Sequence, residues 1–487
     1  MNSRVRAAGS DTVVAEEPGG RTQDKDQLMN TLKLILALII CTCVSTAVPM
    51  ARKAEWKAGI AVTRITPQQS MWMAGYAARK KPSEGTAMDL FAKALALEDG
   101  HGSRVVIITT DILGFPGSVS EEIAKRLAAK HGLRRDQLVF TSSHTHSGPV
   151  VRESLAWMYA LDEEQAAAVK NYTAFLEDRV VEVVGQALGR MVPAGLSLGH
   201  GEAGFGVNRR QKTDQGYVVG VNAEGPVDHE VPVLCVASSS GRTLAVLFSY
   251  ACHNTTLGAD NYKFHGDYAG VAQEEIQKAH PGVTALFMIG CGADANPNPR
   301  GTEEHVRAYG KDLARAVNDA MSGPTVPVRP PLRTAFDRVD LPFSPPPSKE
   351  ELEARLSDQD VYRQRQAKGL LGVIDEKGSL PTQYPYPISA VQFGKDLTMV
   401  LLAGEVLVDY DIRLKQELPP PQEVWVLGYA NDVFAYIPSR RVLDEGGYEA
   451  ATSMIYYGQP GPWKPQVEEI LVSKVKQVVS GLRQGAK

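Results

Sequence analysis

Apolar positions along the chain follow two rhythms. Short, nearly continuous runs at residues 105–109, 138–141, 231–236, 244–250 and 285–289 have the length and β-branched content of buried strands. Between them the apolar residues repeat every three or four positions. Val169, Tyr172, Leu176, Val180, Val183 and Ala187 predict a helix that reaches about Met191, with Asp162 and Gln165 at its start. Ser118 and Glu121 have the spacing of a capping box for a helix through Ile123 and Leu127, stopped at Gly132. Val306, Tyr309, Leu313, Val317 and Met321 predict another amphipathic helix, and Val467, Ile470, Leu471, Val475, Val478 and Val479 a last one. Residues 388–393 and 397–402 read as a hairpin across Gly394-Lys395. Strands alternating with helices predict an α/β core.

Two stretches interrupt this pattern. Pro342-Phe343-Ser344-Pro345-Pro346-Pro347 is rigid, and a charged helix over 348–368 follows it, so 342–370 is the candidate internal boundary. Near the start, Lys33 precedes an apolar run at 34–44 and small residues Ser45-Thr46-Ala47. That is a secretory signal pattern, too short to span a bilayer. Residues 1–47 are thus expected to be an N-terminal extension plus signal peptide, with Met29 the expected start of translation, and 48–487 the catalytic region. The expected location is secreted or periplasmic, with no transmembrane anchor after cleavage. The other reading of the segment is an uncleaved anchor behind a polar extension.

The composition narrows the class. Of 487 residues, 43% are apolar and 22% charged, as in a folded globular protein, which excludes disorder as the main state. Lys plus Arg is 52 and Asp plus Glu 56, and this near balance excludes a dedicated nucleic-acid binder. Beyond the signal segment, Cys235, Cys252 and Cys291 offer at most one pair, or three thiols, and no disulfide framework.

Ligand-type residues gather just after the strand runs: His144-Thr145-His146-Ser147-Gly148-Pro149, Ala251-Cys252-His253-Asn254, Phe264-His265-Gly266-Asp267, and Cys291 through Asn298. Sites in α/β sheets form at the carboxyl ends of strands. Of ten histidines, His144, His146, His253 and His265 fall in these clusters, which points to a metal site. His144 and His146, two apart on an extended segment, would serve as two ligands, or as one ligand and one acid–base group. Glu405 follows the apolar run 399–402. A carboxylate there is either paired or metal-bound, or caps the next helix.

These motifs resemble the neutral/alkaline (non-lysosomal) ceramidases. The supporting residues are Met73-Ala74-Gly75-Tyr76, the His144-Thr145-His146-Ser147-Gly148-Pro149 string, Asn208-Arg209, His253, Gly404-Glu405, Tyr436-Ile437 and Tyr448-Glu449-Ala450-Ala451-Thr452-Ser453. They occur in the family's order from about Ala58 to about Gly458. The resemblance implies mixed β-sheets flanked by helices. It implies Zn²⁺ held by His144, His253, Glu405 and Tyr436, and a metal-activated water that cleaves the amide bond of a lipid-like N-acyl compound such as an N-acylsphingosine. His146 would assist the transition state, and Arg209 and Tyr448 would anchor the polar part of the substrate.

Two departures bear on the substrate. Where the family has a serine in a Gly-Asp-Val-Ser-Pro-Asn loop, this chain has Asn296, which can donate to an oxyanion but offers no hydroxyl. Typical members also continue into an immunoglobulin-like domain, which is not expected here, where one helix follows Gly458. Two other readings remain: a metallophosphoesterase, whose Gly-Asn-His motif is missing, and a non-catalytic metal-binding descendant.

Overall fold

The apolar runs at 105–109, 138–141, 231–236, 244–250 and 285–289 each become a strand that is largely buried on both faces. In chain order the first strands are β1 (Trp56–Arg64), β2 (Phe91–Asp99), β3 (Arg104–Thr110), β4 (Leu138–Ser142), β5 (Val192–Glu202) and β6 (Gly206–Thr213). Next come β7 (Gly216–Asn222), β8 (Glu230–Ser238), β9 (Thr243–Tyr250), β10 (Thr284–Ile289), β11 (Ala295–Pro297) and β12 (Val326–Val328). The last are β13 (Leu332–Pro342), β14 (Gln383–Phe393), β15 (Leu397–Leu402), β16 (Glu405–Val406), β17 (Glu423–Leu427) and β18 (Tyr436–Ile437). This computed structural model describes residues 55–155, 157–418 and 423–484, so the expected extension and signal peptide at 1–47 lie outside the described residues.

The largest sheet runs β10-β9-β8-β5-β1-β2-β3-β4, with β12 on β5; a second runs β13-β14-β15-β17. Both are mixed: β9 with β10, β3 with β4 and β15 with β17 pair parallel, and the remaining ladders of these two sheets are antiparallel.

Period-two alternation builds the layers. In β3, Val106 and Ile108 face the helices Gly117–His131 and Glu163–Gly189, while Val105 and Ile107 face the second sheet. In β15, Leu397, Met399 and Leu401 meet the first sheet, and Val400 and Leu402 meet the helix Val467–Gln484. The result is helix, sheet, sheet, helix. Each fully buried Val, Leu or Ile contributes about 1.5–3 kcal/mol. Among the described residues no helix is long and apolar enough to cross a membrane.

Most predicted elements form, with three instructive differences. The helix expected to start at Ser118 starts at Gly117, without a side-chain cap of its own. Asp432 Oδ1 accepts from Gly117 N at 2.8 Å, so a distant carboxylate takes over the local capping role. Ser118 instead donates to Glu153. The Asp162 cap does form, accepting from Gln165 N, but that helix ends at Gly189, two residues short of Met191. The expected helix over 348–368 is two helices, Lys349–Arg355 and Val361–Lys377. Ser357 bonds back to Ala354 O, and Asp360 accepts from Tyr362 N to start the second, so short polar side chains compete with helix propagation. The hairpin at 394 forms, and Gly394 supplies φ +51°.

Candidate metal centre

Several segments at strand ends converge. His144 lies just after β4 and His253 just after β9; Glu405 and Tyr436 open β16 and β18. The last two are register partners in a parallel two-stranded ladder. His144 holds φ +56°, a left-handed backbone that a non-glycine residue adopts at a cost and that recurs at functional sites.

Both histidines spend the same nitrogen on the scaffold. His144 Nδ1 lies 2.6 Å from Leu113 O, and His253 Nδ1 lies 2.9 Å from Gly292 O. A carbonyl can only accept, so Nδ1 carries the proton in each ring and Nε2 presents a lone pair. Glu405 Oε2 sits 3.4 Å from His144 Nε2 and 3.0 Å from His253 Nε2, yet has no hydrogen-bond donor. Tyr436 Oη lies 3.3 Å from His253 Nε2. Glu405 Oε2 therefore faces two imidazole acceptor nitrogens in a buried space without a donor of its own, an arrangement that a cation would satisfy. Burial pushes the Glu405 carboxyl up; only positive charge facing it, here from the imidazoles when protonated, holds it well below the usual carboxylate range. Burial, then Arg209, brings His253 down to about 4. The nitrogen and oxygen donors suit zinc.

His146 Nε2 lies 3.2 Å from His144 Nε2, and the nitrogens of His144, His146 and His253 are all within 4.8 Å of one another. His146 could therefore be a further ligand or a proton carrier. Burial, reinforced by His144 and His253, holds it well below its ordinary pKa and so neutral. Its ring packs on Tyr76, and Gly75 makes room: a Cβ there would lie 2.4 Å from His146 Nδ1, at φ +96°.

Behind His144, His253, Glu405 and Tyr436 lies a buried hydrogen-bonded network. Arg209 donates to Tyr436 Oη at 2.9 Å, Asn296 Oδ1 at 3.3 Å and Glu449 Oε1 at 2.8 Å. Glu449 Oε2 accepts from Arg210 at 2.6 Å. Thr255 also donates to Asn296 Oδ1. Tyr448 packs its ring on Tyr436, with the Arg209 guanidinium 5.8 Å from the Tyr448 ring centre.

All eight singled-out side chains thus fall in one neighbourhood. Glu405 does not cap the following helix, whose N-cap is Leu407. His265 does not join; its Nδ1 accepts from Asp267 N, and its backbone braces Thr145 and Ser147. Asp294 shapes loops, accepting from Asn208 and Val408 N, and burial pushes it up to about 7. Among the described residues, Cys235, Cys252 and Cys291 are free thiols. Sequence reasoning missed Tyr457, whose hydroxyl donates to Glu405 Oε1, and Tyr429, whose ring lies 4.4 Å from that of His144. It also gave no role to Glu449, although that residue sits within a quoted motif. No local pattern marks Tyr457 or Tyr429.

Comparison with known proteins supplies an independent view. Residues 56–310 match the family described as neutral/alkaline non-lysosomal ceramidase, N-terminal. A neutral ceramidase of Mycobacterium tuberculosis is 24% identical over 269 residues, which cover 54% of this chain and 40% of that protein. One of Drosophila melanogaster is 31% identical over 99 residues, 20% of this chain and 14% of the relative. The matched part thus spans less than half the length of these curated relatives. The structure of neutral ceramidase from Pseudomonas aeruginosa is similar with a TM-score of 0.69 at 19% identity, covering 88% of this chain and 75% of that one. That likeness speaks for the α/β fold.

Proposed function

Since the chain belongs to the neutral/alkaline non-lysosomal ceramidase family, we propose that it is a zinc-dependent amidohydrolase acting on an N-acylsphingosine or a related N-acyl lipid. The observation that carries the metal is the unpaired Glu405 Oε2 facing the Nε2 lone pairs of His144 and His253. His144, His253, Glu405 and Tyr436 would hold the ion. When bound, zinc supplies a Lewis acid that brings the pKa of a coordinated water to about 7.

The remaining roles belong to the chain itself. Leu113 O and Gly292 O fix the tautomer of the two histidines, so that Nε2 stays free to bind. His146, kept neutral by burial, can take a proton from the attacking water and pass that proton to the amine nitrogen as the amide C–N bond breaks. Arg209 and Thr255 both donate to Asn296 Oδ1, which turns the Asn296 amide nitrogen away from them. That N–H is left to donate to the oxygen of the scissile carbonyl as charge develops on it. No serine hydroxyl is needed on this route. Tyr448 and Arg209 form the polar wall that orients the substrate. The signal-like segment at 29–47 supports a secreted or periplasmic enzyme.

Metal analysis of the purified protein tests the reading. Zinc should be bound by the wild type and lost in His144→Ala and Glu405→Ala. Full amide hydrolysis by metal-free protein would refute it. Zinc binding with turnover only of other amides or esters would move the substrate and leave the chemistry.

A further inference from the structure

Glu405 has two carboxylate oxygens, and the structure treats them differently. Oε2 faces the two imidazoles. Oε1 accepts from the Tyr457 hydroxyl. Tyr457 ends the short helix Met454–Tyr457, and its ring centre lies 6.3 Å from that of Tyr436 at 76°. One side chain therefore touches two of the four residues that would hold the metal.

The backbone behind Tyr457 is firmly placed. Gly458 takes φ +72° and closes the turn, its N–H bonded to Met454 O. A Cβ on Gly458 would come within 3.1 Å of the Trp157 ring, so only glycine fits without displacement. Gln459 donates to Phe434 O at 3.0 Å, and Gln366 donates to Gln459 O at 2.8 Å. Gln366 belongs to the helix Val361–Lys377. The helical segment after the proline-rich stretch thus braces the turn that carries Tyr457.

We propose that Tyr457 is a positioning residue for the metal: by occupying Glu405 Oε1 it leaves Oε2 as the single oxygen offered to the ion. This inference rests on the zinc reading of the site. A carboxylate free of such a partner rotates about its last torsion and exchanges one-oxygen for two-oxygen binding. Hydrogen-bond partners just outside a metal's ligands typically change affinity by about 10–100-fold when removed. The effect of Tyr457 is on metal affinity first and on turnover only through the metal.

The test is the zinc dissociation constant of the full-length protein, measured by competition with a chromophoric chelator. Tyr457→Phe keeps the ring and removes the donor; it should bind zinc about 10–100-fold more weakly than wild type. In a Glu405→Gln background the same change should have no further effect, because the carboxylate it acts on is gone. Equal affinity in wild type and Tyr457→Phe overturns the proposal. So does an equal loss in both backgrounds, which would mark general packing. If the phenylalanine variant does not fold, Tyr457→His, with a donor, should bind zinc more tightly than Tyr457→Met, without one; the reverse order overturns it. A wild type that binds no zinc would instead sink the functional reading itself.

Discussion

Replacing Glu449 by glutamine should destabilise the protein and cripple the site together. The Glu449 side chain is 2% exposed and is shared by Arg209, 6% exposed, and Arg210, 2% exposed. Arg210 keeps a second carboxylate, Glu445, at 3.0 Å. Arg209 does not: its other partners, Tyr436 Oη and Asn296 Oδ1, are neutral. Glutamine leaves that guanidinium buried without a hydrogen-bonded carboxylate and turns an N–H toward one of the two arginines. Breaking a buried pair in this way costs about 3–5 kcal/mol. At about 2.1 cal/mol/K per residue, a folded part of roughly 430 residues has an unfolding entropy near 0.9 kcal/mol/K, so the melting temperature should fall by about 3–6 °C. Displacing Arg209 also displaces Tyr436, and misplacement of about 1 Å at a reacting centre costs on the order of 100-fold in kcat/KM. Calorimetry and hydrolysis of an N-acyl amide measure the two effects. Removing the cation as well, in Glu449→Gln with Arg209→Met, should recover part of the stability but none of the activity. A single Glu449→Gln variant that melts within about 1 °C of wild type and turns over normally would refute the argument.

Further expectations concern the scaffold, His146 and Asn296. Lys93 is fully buried, bonded to Gln273 and Ala285 O, and burial brings its pKa from 10.5 to about 8 despite Asp111 and Glu274. Between those values the unfolded chain binds more protons, so wild-type stability should rise with pH from 8 to 10.5 by roughly 3 kcal/mol relative to Lys93→Met. Parallel stability curves for the two proteins would contradict this. Gly75→Ala should push His146 aside and lower kcat by about 100-fold, with zinc content unchanged, since His146 is assigned proton transfer; loss of zinc in that variant would make His146 a ligand instead. Asn296→Asp should remove the donor and place a negative charge where an oxyanion forms, lowering kcat by roughly 100-fold or more; unchanged kcat would exclude Asn296 from the oxyanion role.

What the sequence makes legible depends on how local its cause is. The continuous runs of β3, β9, β10 and β15 are readable because both of their faces are buried, which leaves no polar alternation to confuse. The histidine clusters are readable because strand-end polar groups have no packing reason to be there. β2 is not: Phe91-Ala92-Lys93-Ala94-Leu95-Ala96-Leu97 is rich in helix formers. The small side chains at 92, 94 and 96 form a strand because they fit beneath the helical layer, a tertiary cause. Asp432 capping a helix 315 positions away, and Tyr457 bonding Glu405 across 52, are equally invisible to any local pattern. At Ser118 the local capping signal was present but outcompeted by Asp432 and Glu153.

Fatty-acid release from N-acylsphingosine by the purified protein, before chelation, after chelation and after zinc is returned, tests the central claim most directly. The account predicts release that is abolished by the chelator and restored by zinc, although position 296 carries asparagine. Release that continues undiminished in metal-free protein would contradict it.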